Sequence, residues 1–271
     1  MAQWCDIGVN LFSAQFEADR AAVVQRAAYA GVSDLILIGS DLAESRQNIA
    51  FCQQHAGCFT TAGIHPHQAA SAAAGWQQQL QQLLSQPEVV AAGECGLDFN
   101  RDFSPRPVQQ QIFAEQLQLA KAAAKPLYLH ERDAFDTQLA MLKEQQVNLG
   151  VAHCFTGDLQ QLQAYLDLGL YIGITGWVCD ERRGQALQQA LRYIPADRLL
   201  LETDAPYLLP RTLQAKPKNR RNEPAFLPAI AHVVAGLTAT DITTLAAQTL
   251  ANSRRLFALP PLSGSGNAAN D

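Results

Sequence analysis

The chain has 271 residues, 48% hydrophobic and 17% charged, with a net charge of −5. That length can bury a full core and suits one large domain or two small ones. No apolar run approaches the roughly 18 residues of a membrane span, and the acidic balance argues against wrapping long nucleic acid by bulk charge, though not against a local basic patch.

Eight short apolar runs follow one another: CDIGVNL (5–11), DLILIGS (34–40), FTTAGIH (59–65), EVVAAGE (88–94), PLYLH (126–130), LGVAHC (149–154), LYIGITG (170–176) and RLLLETD (198–204). Most lack clean alternation, as strands buried on both faces do. Between them, segments such as 14–31, 108–125, 158–169 and 182–194 place apolar residues at three- and four-residue steps. Alternating strands and helices predict parallel pairing with right-handed crossovers, and eight such units predict an α/β fold, the (β/α)8 TIM barrel. An open doubly wound sheet would show a glycine-rich phosphate turn after its first strand, and GVNLFSAQF has none. Helical stretches at 224–237 and 240–257 come last. The expected organisation is a single domain over 1–259 and a small, polar tail over 260–271, disordered or extended.

The N-terminus lacks the pattern of a secretion signal, and the six cysteines are scattered without a CxxC pair. A cytoplasmic enzyme with reduced thiols is expected. Cys52, His55 and Cys58 stand three apart, but a structural zinc site normally has four ligands. The segment reads more simply as a helix end followed by Gly57.

In a barrel the chemistry collects at the C-terminal ends of the strands. By this reading strand four ends on Glu94, strand five on His130, strand six on His153 and strand eight on Asp204, while strand three leads into His65 and His67. Imidazoles and carboxylates converging there suit a divalent cation; without one, Glu94 and Asp204 would repel where solvation is lost. A single aspartate after a strand reads as a helix cap, but four such residues at matching ends favour a metal. His55 and His232 fall in helical contexts and read as structural. Asp98 and Arg101 either serve the site or pair within a loop. Cys95 and Cys154 are expected to point away from it, and Glu202, on the face of Asp204, to support it or to pair with a buried base. Thr156 and Gly157 are expected to start a helix. Arg132, Arg182, Arg183, Lys216, Lys218, Arg220 and Arg221 are expected in loops on the same face, for a phosphate-bearing substrate or as a solvated charge run. Trp177 and Tyr207 offer stacking faces for bases.

Together GIHPH (63–67), GECGLD (93–98), LHERD (129–133), HCFTG (153–157), YIGITGWVCDERRG (171–184) and ETDAPYLLP (202–210) resemble the TatD family of metal-dependent nucleases, from DIGVN to about Phe257. The resemblance implies an amidohydrolase-related barrel with magnesium-dependent 3′-to-5′ exonuclease activity on single-stranded DNA or RNA ends. It implies metal ligands at Glu94, His130 and His153, a metal-binding or catalytic aspartate at Asp204, and a phosphate contact at His65. Arg132, Arg182 and Arg183 are the further phosphate candidates. Where many members carry His-x-His on strand one, this chain reads Gly8-Val9-Asn10. Fewer nitrogen ligands favour Mg²⁺, with Mn²⁺ as the alternative, over Zn²⁺, and leave a second ion either weakly held or brought in with the substrate phosphate. The expected partners are single-stranded 3′ ends, with no membrane and a monomeric chain. Two other readings stand beside this one: an amide or ester hydrolase on the same barrel, acting for example on an aminoacyl ester, and a non-enzymatic binding protein linked to export.

Overall fold

In the computed structural model, which describes residues 2–260, eight strands pair in parallel in strict sequence order. They are β1 (Trp4–Val9), β2 (Val32–Leu37), β3 (Cys58–Ala62), β4 (Val89–Asp98), β5 (Leu127–Arg132), β6 (Gly150–Ala152), β7 (Tyr171–Ile174) and β8 (Leu199–Leu201). Helices fill the intervals: α1 (Arg20–Tyr29), α2 (Leu42–Cys52), α3 (Trp76–Leu84), α4 (Arg106–Ala122), α5 (Phe135–Glu144), α6 (Leu159–Asp167) and α7 (Gln185–Leu191). After β8 come α8 (Leu227–Thr238) and α9 (Ile242–Phe257). This is the barrel that eight strand-helix units predict. From residue 261 onward the expected tail lies outside the described residues.

The seam between the first and last strands closes just beyond β8. Val9 bridges Ala205 in parallel, Asn10 N donates to the Ala205 carbonyl at 2.8 Å, and Asp204 N donates to the Gly8 carbonyl at 2.9 Å. Asp6, fully buried, pins the seam from inside: it accepts from Thr203 N at 2.9 Å, Thr203 Oγ1 at 2.5 Å and Gly8 N at 3.2 Å. Ile7, Ile36, Tyr128, Val151 and Leu200, from five different strands, pack together as the barrel interior. Leu35, Leu37, Leu129 and Leu201 pack outward against apolar helix residues such as Leu80, Phe113 and Leu162. Asp41 caps α2 and Asp158 caps α6, the latter in a reciprocal box with Gln161.

Several boundaries differ from expectation, and the differences place the site. β4 does not stop at Glu94 but runs on to Asp98, and β5 runs past His130 to Arg132. Their register shifts between Ala92 and Cys95, then resumes from Cys95–Leu129 to Asp98–Arg132. Gly93 and Gly96, at φ 140° and 144°, allow this bulge. Conversely β3 ends at Ala62 and β8 at Leu201, so His65 and Asp204 each sit three residues beyond a strand. Helix α6 begins at Leu159, two residues later than Thr156 and Gly157 suggest. Gly57 is left-handed at φ 81°, but it belongs to the α2–β3 turn, since Gln53 caps the helix. His55 stacks on Phe51 at 3.7 Å between ring centroids, and among the described residues it joins no metal-ligating group with Cys52 and Cys58.

No single described helix is long and apolar enough to cross a membrane; 224–238 and α9 reach that length only across a 109° bend, and both bury apolar faces in the core. Replacing Asp6 by alanine leaves buried Thr203 and Gly8 donors without an acceptor at the seam. Thermal or denaturant unfolding should show a loss of about 2–4 kcal/mol, and a change below 0.5 kcal/mol would show that Asp6 does not hold the seam.

Candidate metal centre

The β4 bulge turns Glu94 to the C-terminal mouth of the barrel, where its side chain is 9% exposed. Its Oε1 lies 2.9 Å from His130 Nδ1, 3.5 Å from His65 Nε2 and 3.6 Å from His153 Nε2. Ligands around one first-row cation or Mg²⁺, each at about 2.0–2.2 Å, stand about 3 Å apart. The spacing around Glu94 therefore suits a shared ion. His65, Glu94 and His130 offer ligand atoms within 4.8 Å of one another, as do His153, Cys154 and Asp204, and the Glu94–His153 approach joins the two groups.

Each of these side chains is held by a neighbour. Fully buried Glu202 accepts from His153 Nδ1 at 2.6 Å, from the Tyr128 hydroxyl at 2.9 Å and from Cys154 N at 2.6 Å. That leaves His153 Nε2 directed at Glu94, the orientation a carboxylate imposes on a metal-ligating imidazole. Asn10 Nδ2 donates to Asp204 Oδ1 at 2.8 Å, and Asp204 itself adopts a left-handed backbone at φ 53°. Asp98 accepts from Asn100 N and Arg101 N, and its Oδ2 lies 2.6 Å from His67 Nε2 and 3.4 Å from His130 Nε2. It thus joins the site as a partner of two imidazoles, while Arg101 contacts it only through its main chain.

Burial and charge compete throughout. Burial raises the Glu94 carboxyl, yet the imidazoles of His65, His130 and His153 outweigh it and hold the group well below the usual carboxylate range. Burial lowers His130 and His153, but Asp98 and Glu94 bring the first up to about 9, and Glu202 and Glu94 the second up to about 10. His65 goes down to about 3, by burial above all. Asp204 is pushed up to about 7, again by burial, with His153 opposing. A cation among these groups compensates both carboxylates at once, so the donor set fits a divalent metal.

The structure brings together Glu94, His130, His153, Asp204 and His65. Arg132 lies exposed at the end of β5, beside the cluster rather than in it. Arg182 is exposed, and Arg183 stacks on Trp177 at 4.5 Å while its Nε donates to Asp180 at 2.8 Å. Arg221 leaves the substrate patch altogether: it donates to Asp19 at 2.7 Å and Glu223 at 2.7 Å, and its guanidinium holds the Asp19 carboxyl well below the usual range. Cys154 does not point away as strand alternation predicts. At φ 47° it is turned so that its sulfur falls near His153 and Asp204. Burial, with Asp204 and Glu202 nearby, raises its thiol well above the ordinary value, so it remains a thiol. Cys95 is fully buried and packs in the core.

Two contributors give no sequence signal. Tyr128 sits in an apolar strand and reads as core, yet its hydroxyl lies 2.7 Å from His153 Nδ1. Phe103 is 66% exposed and meets the His67 ring at 4.8 Å, presenting an aromatic face at the rim. Gly8 has a steric reason to be glycine: a Cβ there would stand 2.5 Å from the Tyr128 hydroxyl and 2.6 Å from Glu202 Oε2. The space of a strand-one side chain is filled by the pair that orients His153.

The family model described as TatD related DNase matches residues 5–258. A "3'-5' ssDNA/RNA exonuclease TatD" of Klebsiella pneumoniae strain 342 is 52% identical, covering 94% of this chain and 97% of its own length. The protein of that name from Salmonella typhimurium strain LT2 is 50% identical, over 93% and 98%. Among solved structures, the TatD homologue YJJV of Escherichia coli K12 superposes with a TM-score of 0.87 at 31% identity, covering 95% of this chain and 98% of that one. A TatD family hydrolase of Entamoeba histolytica gives 0.86 at 27% identity, over 95% and 99%.

Gly8→Ala should destabilise the protein by about 1–3 kcal/mol, since fixed polar atoms occupy the space. Removing the Tyr128 hydroxyl with Tyr128→Phe should recover part of that loss, because Glu202 still crowds the site. A double-mutant cycle with zero coupling would refute this packing account.

Proposed function

The chain belongs to the TatD-related DNase family, and on that premise we propose that it hydrolyses phosphodiester bonds at the 3′ ends of single-stranded DNA or RNA, releasing mononucleotides. The observation that carries this reading is the buried Glu94 oxygen ringed by three imidazoles at the barrel mouth. The relatives of about 50% identity, matched over nearly their whole length, bear the name of that activity.

Glu94, His130, His153 and Asp204 are the residues that would hold the metal, Mg²⁺ with Mn²⁺ as the alternative. Gly8 offers no ligand, and the Asn10 amide is directed to Asp204, so strand one adds no imidazole. A cation bound there supplies positive charge to the phosphoryl oxygen and acidifies a water. Glu202 and Tyr128 keep His153 in one tautomer and one orientation. Asp204, with Oδ1 held by Asn10, orients the attacking water and takes its proton as general base. His65 Nδ1 accepts from His67 N at 3.1 Å, which puts its proton on Nε2. It therefore acts as a hydrogen-bond donor to the substrate phosphate. Arg132 and Arg183 at the rim, with Arg182, add charge for the phosphates of the bound strand.

Exposed Phe103 and Tyr207 offer stacking faces for unpaired bases, which fits single strands. Six cysteines without a disulfide among the described residues support a reducing, cytoplasmic setting, and we take the chain to act as a monomer.

A 5′-labelled single-stranded oligonucleotide with Mg²⁺ should shorten stepwise from its 3′ end. The ladder should vanish with chelator, and Glu94→Ala and Asp204→Asn should each lower kcat by at least about 100-fold, as losses of transition-state groups do. An intact oligonucleotide across DNA, RNA, Mg²⁺ and Mn²⁺ would reject the nuclease reading and turn attention to aminoacyl esters.

A further inference from the structure

Two cavities open between the loops that follow the later strands, and their charges differ. One, about 720 Å³, is lined by Glu131, Asp133, Asp136 and Asp158 against only Arg132 and Arg183. Its lining is net acidic, which suits at most a single phosphate beside Arg132 or Arg183 at its edge and disfavours a run of backbone phosphates. The other, about 410 Å³, holds five cations and no carboxylate in its lining, with Leu209 and Pro210 between them. We propose that this second cleft, formed by Arg182, Arg183, Arg211, Lys216 and Arg220, is a subsite for the sugar–phosphate backbone of the strand beyond the nucleotide being released. The proposal rests on the hydrolytic reading above and says where the rest of the substrate lies.

Five of the chain's 20 lysines and arginines gather in this one cleft of a protein with net charge −5. A solvated charge run would be balanced by nearby acids, and here the pairing is selective. Asp180 binds Arg183 at 2.8 Å and Arg211 at 3.4 Å, and Glu181 also meets Arg211 at 3.4 Å, so these carboxylates fix two walls. Among the described residues Arg182, Lys216 and Arg220 have no carboxylate within the 4.0 Å of an ion pair. Like charges held together unpaired are costly in isolation and become favourable when a polyanion enters. The cleft is built from the loops after β7 and β8, and the β8 loop is the one that also carries Asp204. Arg183 lines both cavities, so the two adjoin, and the charge of their walls changes sign across it. The cations of the cleft are carried on long lysine and arginine side chains, which suits a sequence-independent backbone contact.

The test uses the full chain and a Lys216→Gln/Arg220→Gln variant, with Lys121→Gln/Lys143→Gln on the outer helices as a charge-matched control. Binding of a 5′-labelled deoxythymidine 12-mer is followed by anisotropy in chelator over a salt series, and hydrolysis of the 12-mer and of a dinucleotide is measured with Mg²⁺. The cleft variant should bind the 12-mer about tenfold more weakly, with a salt slope lower by about 1.4, at 0.7 per lost contact. Its kcat/KM should fall more on the 12-mer than on the dinucleotide. The same slope as wild type, an equal fall on both substrates, or an equal loss in the control would overturn the subsite. Absence of hydrolysis by the wild type would overturn the nuclease reading, and the subsite with it.

Discussion

A carboxylate buried at the mouth of the barrel, with one oxygen 2.9–3.6 Å from three imidazoles, organises what surrounds it. Burying a lone carboxylate costs several kcal/mol, and charges a few ångströms apart interact by about 4 kcal/mol even at an effective dielectric near 20. Glu94 therefore requires compensation, as does Asp204. Protons on His130 and His153 are one way to provide it, and the raised values of both imidazoles show the strength of that demand. A divalent cation is the other. The same demand explains why each imidazole is clamped by a further acid: Asp98 at His130 and Glu202 at His153.

The fold delivers this constellation through irregularity as much as through regular strands. The bulge at Gly93 and Gly96 directs Glu94 to the mouth while leaving β4 paired to β5 as far as Asp98. The seam hydrogen bonds of Gly8 and Asn10 place Asp204 beside His153, and Asn10 then fixes its carboxylate. Gly8 permits the Tyr128–Glu202 pair to fill the space that a strand-one side chain would take. The departure from His-x-His on strand one is thus coupled to interior packing.

The eight-unit barrel was legible because buried parallel strands read as short apolar runs, and helices between them keep a 3.6-residue period. The positions of Glu94, His130 and His153 were legible because each interrupts such a run. Asp98 and Cys154 were harder: the bulge extends β4, and the left-handed backbone at Cys154 breaks the alternation on which its direction was inferred. Tyr128 was hidden because a tyrosine among leucines reads as core until its hydroxyl is seen against Glu202. Arg221 looked like a substrate cation because its partner Asp19 is about two hundred residues away in sequence, beyond the reach of local charge patterns.

The most direct measurement is calorimetric titration of Mn²⁺ into the chelator-treated wild type and into Glu94→Gln, with circular dichroism to verify both folds. If Glu94 is the centre of the site, the wild type binds the ion and the variant loses at least tenfold in affinity while remaining folded. Equal affinity and stoichiometry in the two proteins would contradict the account.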